Sequence, residues 1–151
     1  MLKYIDRVLS PELPKLLCRT GHGAEIVPAD VNFTAGSLAG GKPVLRLPGV
    51  GMREACAAVL SVLPLDGVVR QPVAHMQVGD SAADHHSALQ RAAISDLVAP
   101  GDARAEQCEA TERFRFYERV RGAYAILQTG EMQAWVNLLV KKGVIAAELR
   151  P

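Results

Sequence analysis

The sequence predicts an α/β protein in which helices pack on a mixed or parallel sheet. Segments with the alternating or fully apolar pattern of strands are separated by segments whose apolar residues recur at helical spacing. The chain has 151 residues, of which 49% are hydrophobic and 22% charged, a composition typical of a globular domain. We therefore expect a single domain over residues 1–151, large enough to bury a core without cross-links.

The predicted elements follow one another in a regular order. Ser10 and Pro11 suit the start of a first helix, with Ser10 as its capping residue, and Gly21 suits its end. The further predicted strands span 25–29, 44–47, 73–78, 123–128 and 137–141, and the further predicted helices span 52–63, 85–97 and 116–121. The glycine-rich segment 31–42 is the candidate for a mobile loop, and Pro-Gly-Asp at 100–102 predicts a turn.

Charge and cysteine content narrow the class of protein. The 17 basic and 16 acidic side chains give a net charge of +1, so no basic surface favours nucleic acid as a partner. An odd number of cysteines without paired spacing predicts reduced thiols in a cytoplasmic protein. The first residues are interrupted by charges, unlike a secretory signal, and no apolar run approaches the roughly 20 residues that cross a bilayer. We expect no membrane partner either.

Metal and nucleotide motifs are missing from the sequence. Residues 21–23 read Gly-His-Gly, but Ile26 occupies the position of the third glycine in a dinucleotide fingerprint. The cysteines lie far apart in the sequence. His85 and His86 would point about 100° apart on a helix, so they are expected to face solvent. The sequence thus predicts neither a metal site nor a cofactor.

The Gly-His-Gly turn is the most informative local feature. Two glycines free the backbone on either side of His22, and histidine is a common acid–base group in enzymes. Asp30 follows the strand that this turn begins, and ligands of α/β proteins collect at strand ends. A histidine and a carboxylate so placed would share a proton-transfer site. The alternative is structural, with His22 capping a helix and Asp30 starting a turn.

Two aromatic segments offer further candidates. Trp135 stands two residues before Asn137, and an aromatic ring beside an amide is a common way to hold a sugar. Core packing is the alternative for this ring. Segment 113–119 interleaves aromatic and charged residues, which would suit RNA stacking. The alternative is a helix start with Phe114 and Phe116 in the core and the arginines in solvent.

A series of short segments carries a family resemblance along nearly the whole chain. They are Leu-Ser-Pro-Glu-Leu at 9–13, Gly-His-Gly at 21–23, Glu-Ile at 25–26, Asp30, Val-Gly-Asp at 78–80, Arg-Phe-Arg-Phe-Tyr-Glu-Arg at 113–119, Thr-Gly-Glu at 129–131 and Asn-Leu-Leu-Val-Lys-Lys-Gly-Val at 137–144. In this order and spacing, they resemble the L-fucose mutarotase and D-ribose pyranase family, and its fucose branch in particular.

The resemblance implies a fold, an assembly and an activity. The fold is a three-layer α/β/α domain with a mixed central sheet. The assembly is a ring-like homo-oligomer, with a decamer as one candidate, whose sugar sites lie near subunit contacts. The activity is the cofactor-independent interconversion of monosaccharide anomers by an isomerase of the racemase and epimerase class, acting on L-fucose or a related sugar. D-ribose pyranase activity and non-catalytic sugar binding are the alternatives.

The resemblance also implies roles for particular residues. His22 matches the catalytic histidine. Asp30 and Arg113 match sugar-contacting positions, and Asp30 is also a candidate for proton transfer. Tyr117 matches a position that distinguishes the fucose branch and is a candidate acid. The last candidates form a terminal sugar-binding tripeptide, Trp135, Val136 and Asn137, in which many members have tyrosine where Trp135 stands.

Acid–base catalysis alone suffices for this reaction. A base removes the proton of the anomeric hydroxyl, an acid protonates the ring oxygen, and the free aldehyde rotates before the ring closes again. Because the reaction already occurs spontaneously, an acceleration of about 10²–10⁴-fold from acid–base groups is enough. His22 would serve either step, with Asp30 orienting it or holding a hydroxyl.

Overall fold

A mixed six-stranded sheet forms the centre of the molecule. The computed structural model describes residues 3–79, 81–82, 84–98 and 103–145. The strands are β1 (Glu25–Ala29), β2 (Val44–Leu47), β3 (Val73–Met76), β4 (Cys108–Thr111), β5 (Ala125–Thr129) and β6 (Leu138–Lys141). They lie in the order β2-β5-β1-β6-β3-β4, with β6 antiparallel to its neighbours β1 and β3 and the other pairs parallel.

Helices cover both faces of this sheet. They are α1 (Glu12–Arg19), α2 (Ala35–Leu38), α3 (Met52–Leu60), α4 (Ala88–Val98) and α5 (Arg113–Gly122), with a 3₁₀ turn at Ala105–Gln107. Because side chains alternate along a strand, Ile26 of β1 packs with α1 and α3, whereas Val27 packs with α2 and α5. The predicted three-layer α/β/α fold with a mixed sheet is confirmed.

The strands at the centre of the sheet are the most deeply buried. Every residue of β5 is buried, and in β1 only Glu25 at the start is partly exposed. Strands covered on both faces have no polar side, which explains their nearly continuous apolar sequences. Asp30 directly follows β1, so its position is set by a rigid support.

The structure corrects several predicted details. Pro11 rather than Ser10 is the N-cap of α1, and Ser10 instead accepts a hydrogen bond from Leu13 N on its backbone oxygen at 3.0 Å. Three elements are not predicted by the sequence: α2, inside the expected mobile loop, the 3₁₀ turn at Ala105–Gln107, and β4, which has only four residues and no strongly apolar side chain. Asp80 and the turn predicted at 100–102 lie outside the described residues.

Two further features bear on the class of protein. Among the described residues, none of the helices has the length and apolar character that crossing a bilayer would require. All three cysteines are free, one of them exposed, one half-buried and one buried. Stability therefore comes from packing and hydrogen bonds, without a disulfide.

Candidate functional site

A reciprocal polar contact joins the end of β1 to the start of β6. Asp30 follows β1, and Asn137 precedes β6, which runs antiparallel beside it. The Asp30 N–H donates to Asn137 Oδ1 at 2.8 Å, and Asn137 Nδ2 donates back to Asp30 Oδ2 at 2.9 Å. The two residues are 3% and 2% exposed. A carboxyl group and an amide are thereby fixed side by side within the protein.

The environment of Asp30 shifts its titration. Burial raises the pKa of the Asp30 carboxyl above its usual value. Part of that rise is offset by hydrogen bonds from the Asn137 side chain and from the backbone groups of Asn32, Trp135 and Phe33. The Asn32 N–H donates to Asp30 Oδ1 at 2.9 Å. Each carboxyl oxygen therefore has a donor within the protein, Asn32 N on Oδ1 and Asn137 Nδ2 on Oδ2.

An open pocket of about 170 Å³ lies over this pair. Its floor is polar, with Asp30 and Asn137, and its walls are aromatic, with Phe33, Tyr117 and Trp135. The rings of Phe33 and Tyr117 meet edge to face, with centroids 5.8 Å apart and planes at 72°. Hydroxyl groups on a small ligand would meet the floor, and its C–H groups would meet the walls.

Trp135 forms its wall in an unusual backbone conformation. Its φ is +71°, in the left-handed region that bulky residues rarely adopt. The half-buried ring packs against the core cluster that contains Met76 and Phe116. The guanidinium carbon of Arg113 lies 5.8 Å from the centroid of this ring. The first residue of α5 therefore places its positive charge beside the Trp135 ring, although Arg113 is not one of the residues that line the pocket.

Helix α5 accounts for the aromatic and charged segment. Phe116 is fully buried in the core, and Tyr117, one position further, lines the pocket. Phe114 is 62% exposed, so the prediction that it packs in the core is wrong. The Glu112 side chain caps the helix by accepting from Phe114 N at 2.9 Å and Arg115 N at 3.2 Å.

Val136 points away from the pocket. Its side chain is 1% exposed and packs with Met52, Ala93 and Leu138, between α3, α4 and β6. This follows from strand-like alternation, because the residues on either side of Val136 face the pocket. Of the predicted tripeptide, two side chains therefore line the pocket, and Val136 would reach a ligand only through its backbone.

His22 lies at the opposite end of β1 from Asp30. The turn at 21–23 precedes the strand, Asp30 follows it, and five residues of strand span roughly 16 Å. The structure therefore does not bring His22 and Asp30 together within one chain. Instead, His22 Nε2 lies 3.3 Å from Asp66 Oδ2, with the imidazole 54% exposed and the carboxylate 4% exposed.

Asp66 is a residue that the sequence analysis missed. Its Oδ1 accepts from Val68 N at 3.1 Å, and its own N–H donates to Lys141 O at 3.0 Å. The backbone of Leu65 runs so close to Gly143 that a side chain at position 143 would collide with the Leu65 carbonyl. These contacts leave Oδ2 of Asp66 for His22. The available signal is an acid placed directly after the apolar residues 62–65.

The surface around His22 is largely aliphatic. His22 lines a depression with Pro64, with Lys142 and with three exposed residues, Val62, Val144 and Ile145. These three are 50%, 62% and 71% exposed, respectively. A titratable imidazole therefore stands in a patch whose aliphatic side chains are in contact with water.

The neighbouring histidines His85 and His86 behave differently from each other. His85 is exposed as predicted, whereas His86 turns inward, and its Nε2 lies 3.1 Å from Nε2 of the buried His75. Burial, with a smaller contribution from His86, lowers the pKa of His75 to about 4. Within the described residues, no group of three or more His, Cys, Asp or Glu side chains is placed to hold a metal ion.

The fold and the pocket together define a class of protein. A small open pocket with a carboxyl and an amide on its floor and aromatic rings on its walls is typical of carbohydrate-binding proteins. The sequence profile of the RbsD / FucU transport protein family matches residues 3–145. The chain belongs to this family, which confirms the resemblance stated from the sequence.

Relatives of known name are similar over almost their whole length. The chain is 41% identical over 150 residues to the fucose mutarotase of Homo sapiens, covering 96% of this chain and 95% of that protein. It is 36% identical over 146 residues to the L-fucose mutarotase of Actinobacillus pleuropneumoniae serotype 5b, covering 95% and 97%. These names agree with the prediction of an isomerase that interconverts sugar anomers.

Solved structures agree with the fold. The fucose mutarotase of Streptococcus pneumoniae, crystallised in complex with L-fucose, has a TM-score of 0.85 and 32% identity, covering 96% of this chain and 100% of that chain. Bacillus subtilis RbsD complexed with D-ribose has a TM-score of 0.72 at 19% identity, covering 97% and 100%. The second similarity concerns the fold alone.

Proposed function

We propose that this protein is a cofactor-independent mutarotase that opens and recloses the ring of a free monosaccharide, with L-fucose as the first candidate substrate. The observation that carries the proposal is the buried Asp30–Asn137 pair, which offers hydrogen-bonding groups at the floor of a small pocket. Family membership and the fucose mutarotases among the relatives support it.

The pocket suits a single sugar ring. A volume of about 170 Å³ is smaller than the roughly 300–1,000 Å³ of sites for drug-sized ligands. Asp30 and Asn137 would bind neighbouring hydroxyls, because together they offer both acceptors and donors. Trp135 would cover a C–H face of the ring, and Tyr117 would contact a hydroxyl from the opposite wall.

Proton transfer is assigned to His22, with Asp30 or Tyr117 as the second group. Asp66 holds one side of the imidazole, so His22 has a fixed orientation and an accessible edge. Because its pKa is raised, a larger fraction of the Asp30 carboxyl carries a proton that it can donate than of an exposed aspartate at the same pH. Arg113 supports binding from beside the Trp135 ring.

A site that uses both His22 and Asp30 would need a second copy of the chain, because the two residues lie at opposite ends of β1. In a ring-like homo-oligomer, with a decamer as one candidate, His22 of one subunit would reach the pocket of its neighbour. Three exposed apolar residues lie around His22 and support this assembly: Val62, Val144 and Ile145. Burial against a second copy of the chain would remove them from water.

A mixing experiment tests the shared site. His22→Ala and Asp30→Asn are each purified and then refolded together, so that mixed oligomers form. Random mixing would restore about a quarter of the sites, because a site needs one intact group from each of two subunits. Exchange between the anomers is measured by NMR saturation transfer. If the mixture is no more active than its two components, the shared site is wrong.

The matched control uses two variants of the same half-site. His22 and Asp66 lie together at one end of the strand, so every subunit in a mixture of His22→Ala and Asp66→Asn lacks one member of this pair. The mixture is therefore expected to be no more active than the separate variants. Light scattering on the wild type completes the test, since a monomer at micromolar concentration would contradict the assembly.

The sugar is identified by the same NMR measurement on a panel. L-fucose, its close six-carbon relatives and D-ribose are compared at equal concentration. We expect the largest acceleration of exchange for L-fucose or a related sugar. Pyranose–furanose exchange of D-ribose would support the pyranase alternative. Binding without acceleration would support a non-catalytic role, for which the tryptophan at position 135 is the relevant departure from the family.

A further inference from the structure

One side chain outside the pocket holds two residues of its wall. Gln90, on α4, is 1% exposed. Its Nε2 donates to Met76 O at 2.7 Å and to Trp135 O at 2.9 Å. Met76 and Trp135 both line the pocket, but they belong to segments far apart in the sequence, the end of β3 and the turn before β6.

The turn that Gln90 holds is strained. Trp135 has a φ of +71°, and the left-handed conformation is unfavourable for a bulky residue. Such a conformation persists only where the surroundings impose it. The hydrogen bond from Gln90 to the Trp135 carbonyl is a direct constraint on that turn.

Gln90 is itself fixed in one orientation. Its Oε1 accepts from Ser87 N at 3.0 Å, while Ser87 Oγ accepts from Gln90 N at 3.1 Å, a reciprocal cap at the start of α4. A flipped amide would place its oxygen against two carbonyl oxygens and its NH₂ against an N–H. The assignment of donor and acceptor therefore follows from the three partners.

The constraint extends to the floor of the pocket. Met76 N donates to Asn137 O at 2.9 Å, and Asn137 Nδ2 lies 3.8 Å from the Met76 sulfur. A single amide group on α4 is therefore connected to one wall directly through Trp135, and through Met76 to the residue that pairs with Asp30.

We propose that Gln90 is a positioning residue for the sugar site: it holds Trp135 in its left-handed turn and so sets the distance between the aromatic wall and the Asp30–Asn137 floor. The expected effect on sugar affinity rests on the proposed function. The control of the Trp135 position by Gln90 does not depend on the proposed function.

Gln90→Met tests the inference with little change in volume. Methionine fills the same space but donates no hydrogen bond, so Met76 O and Trp135 O lose their partner. Gln107→Met is the matched control, because Gln107 is also buried and also caps a turn, accepting from Arg104 N at 2.9 Å, but it lies outside the pocket.

Two readouts separate positioning from general destabilisation. Trp135 is the only tryptophan in the chain, so the intrinsic tryptophan fluorescence reports this ring alone. We expect Gln90→Met to shift the emission maximum and to increase quenching by acrylamide. We also expect about a fivefold to tenfold rise in the sugar concentration that half-saturates exchange, with a smaller change in the maximal rate. Gln107→Met should leave both readouts as in the wild type.

Each outcome decides a separate question. A folded Gln90→Met protein with unchanged Trp135 fluorescence and quenching would overturn the positioning role, whatever its activity. A wild type that neither binds nor exchanges sugars would refute the proposed function, while the fluorescence comparison would still test Gln90. If Gln90→Met does not fold, Gln90→Asn replaces it, because the shorter amide cannot reach both carbonyls, and the same criterion applies.

Discussion

The two ends of strand β1 differ in how completely one chain builds them. At the carboxyl end, Asp30 and Asn137 are buried, bonded to each other in both directions and enclosed by aromatic walls. At the amino end, His22 is half exposed, and Asp66 pairs with its ring. One end is a buried polar pair within a pocket, and the other is a half-exposed imidazole beside exposed aliphatic side chains.

In the proposed function, this difference separates binding from proton transfer. Hydroxyl recognition needs several groups at fixed distances, which a buried network would provide. Proton transfer needs an acid–base group that can approach the sugar from outside, which an exposed imidazole would provide. Substitutions at the carboxyl end should therefore affect affinity and folding, and substitutions at the amino end should affect the rate.

The largest effect is expected from Asn137→Ala. The change removes both bonds to Asp30 and leaves a buried N–H and a buried carboxyl without their partner. We expect the free energy of unfolding to fall by about 2–4 kcal/mol and sugar binding to be lost. Chemical denaturation and NMR titration measure the two effects. Asn32→Ala is the control, because its bond to Asp30 comes from the backbone. Equal loss in both variants would contradict the role of the Asn137 amide.

Trp135→Ala should reduce affinity more than rate. Removal of the ring takes away the apolar face of the pocket, and we expect a loss of about 1–3 kcal/mol in sugar binding. Trp135→Tyr should retain activity, whereas Tyr117→Phe should lower the maximal rate more than Trp135→Tyr does. Saturation transfer at several sugar concentrations separates affinity from rate. Wild-type affinity in Trp135→Ala would show that the ring serves only packing.

His75 provides a pH effect away from both ends of β1. Its pKa in the folded protein is about 4, below the ordinary 6.5, because burial disfavours the charged form. The unfolded chain therefore binds a proton first, and stability is lost as the pH falls from 6.5 towards 4. We expect His75→Val to reduce the loss of unfolding free energy between pH 7.5 and pH 5 by about 1–2 kcal/mol. Thermal or urea denaturation at the two pH values measures this. An unchanged acid sensitivity would show that another group controls it.

His22→Ala is expected to have the smallest effect on stability and to act on the rate of exchange. The imidazole is 54% exposed, so its removal should leave the unfolding midpoint unchanged. The rate of anomer exchange should fall at least tenfold, about 1.4 kcal/mol, with the sugar affinity retained. A folded variant that exchanges anomers at the wild-type rate would remove His22 from the mechanism and erase the proposed division between the two ends.

Much of the fold was accessible from the sequence because its signals are local. Strand β1 is predicted at 25–29 and found at Glu25–Ala29, since apolar residues between a glycine turn and an aspartate leave few alternatives. Strand β4 has four residues, only the last of them buried, and lies at the edge of the sheet, so its sequence lacks the large apolar residues that mark a strand. Only its pairing with β3 makes it a strand.

The site divides in the same way. Asp30, Tyr117, Trp135 and Asn137 stand out by residue type and by family resemblance, and all four line the pocket. Asp66 and Gln90 make contacts with segments distant in the sequence, and the residues next to them do not predict which partners they contact. The separation of His22 from Asp30 is also a product of the fold. The two residues are close in the sequence, but the extended strand between them places them far apart in space.

The reciprocal bond between Asp30 and Asn137 also constrains how such a pocket can change over evolutionary time. Because the same two side chains fasten β1 to β6 and form the floor, a mutation that alters sugar recognition there also threatens folding. Asn32 and Trp135 also line the pocket, but their side chains are not part of the bond that joins β1 to β6. New sugar preferences are therefore expected to arise through the walls, while the floor is inherited unchanged.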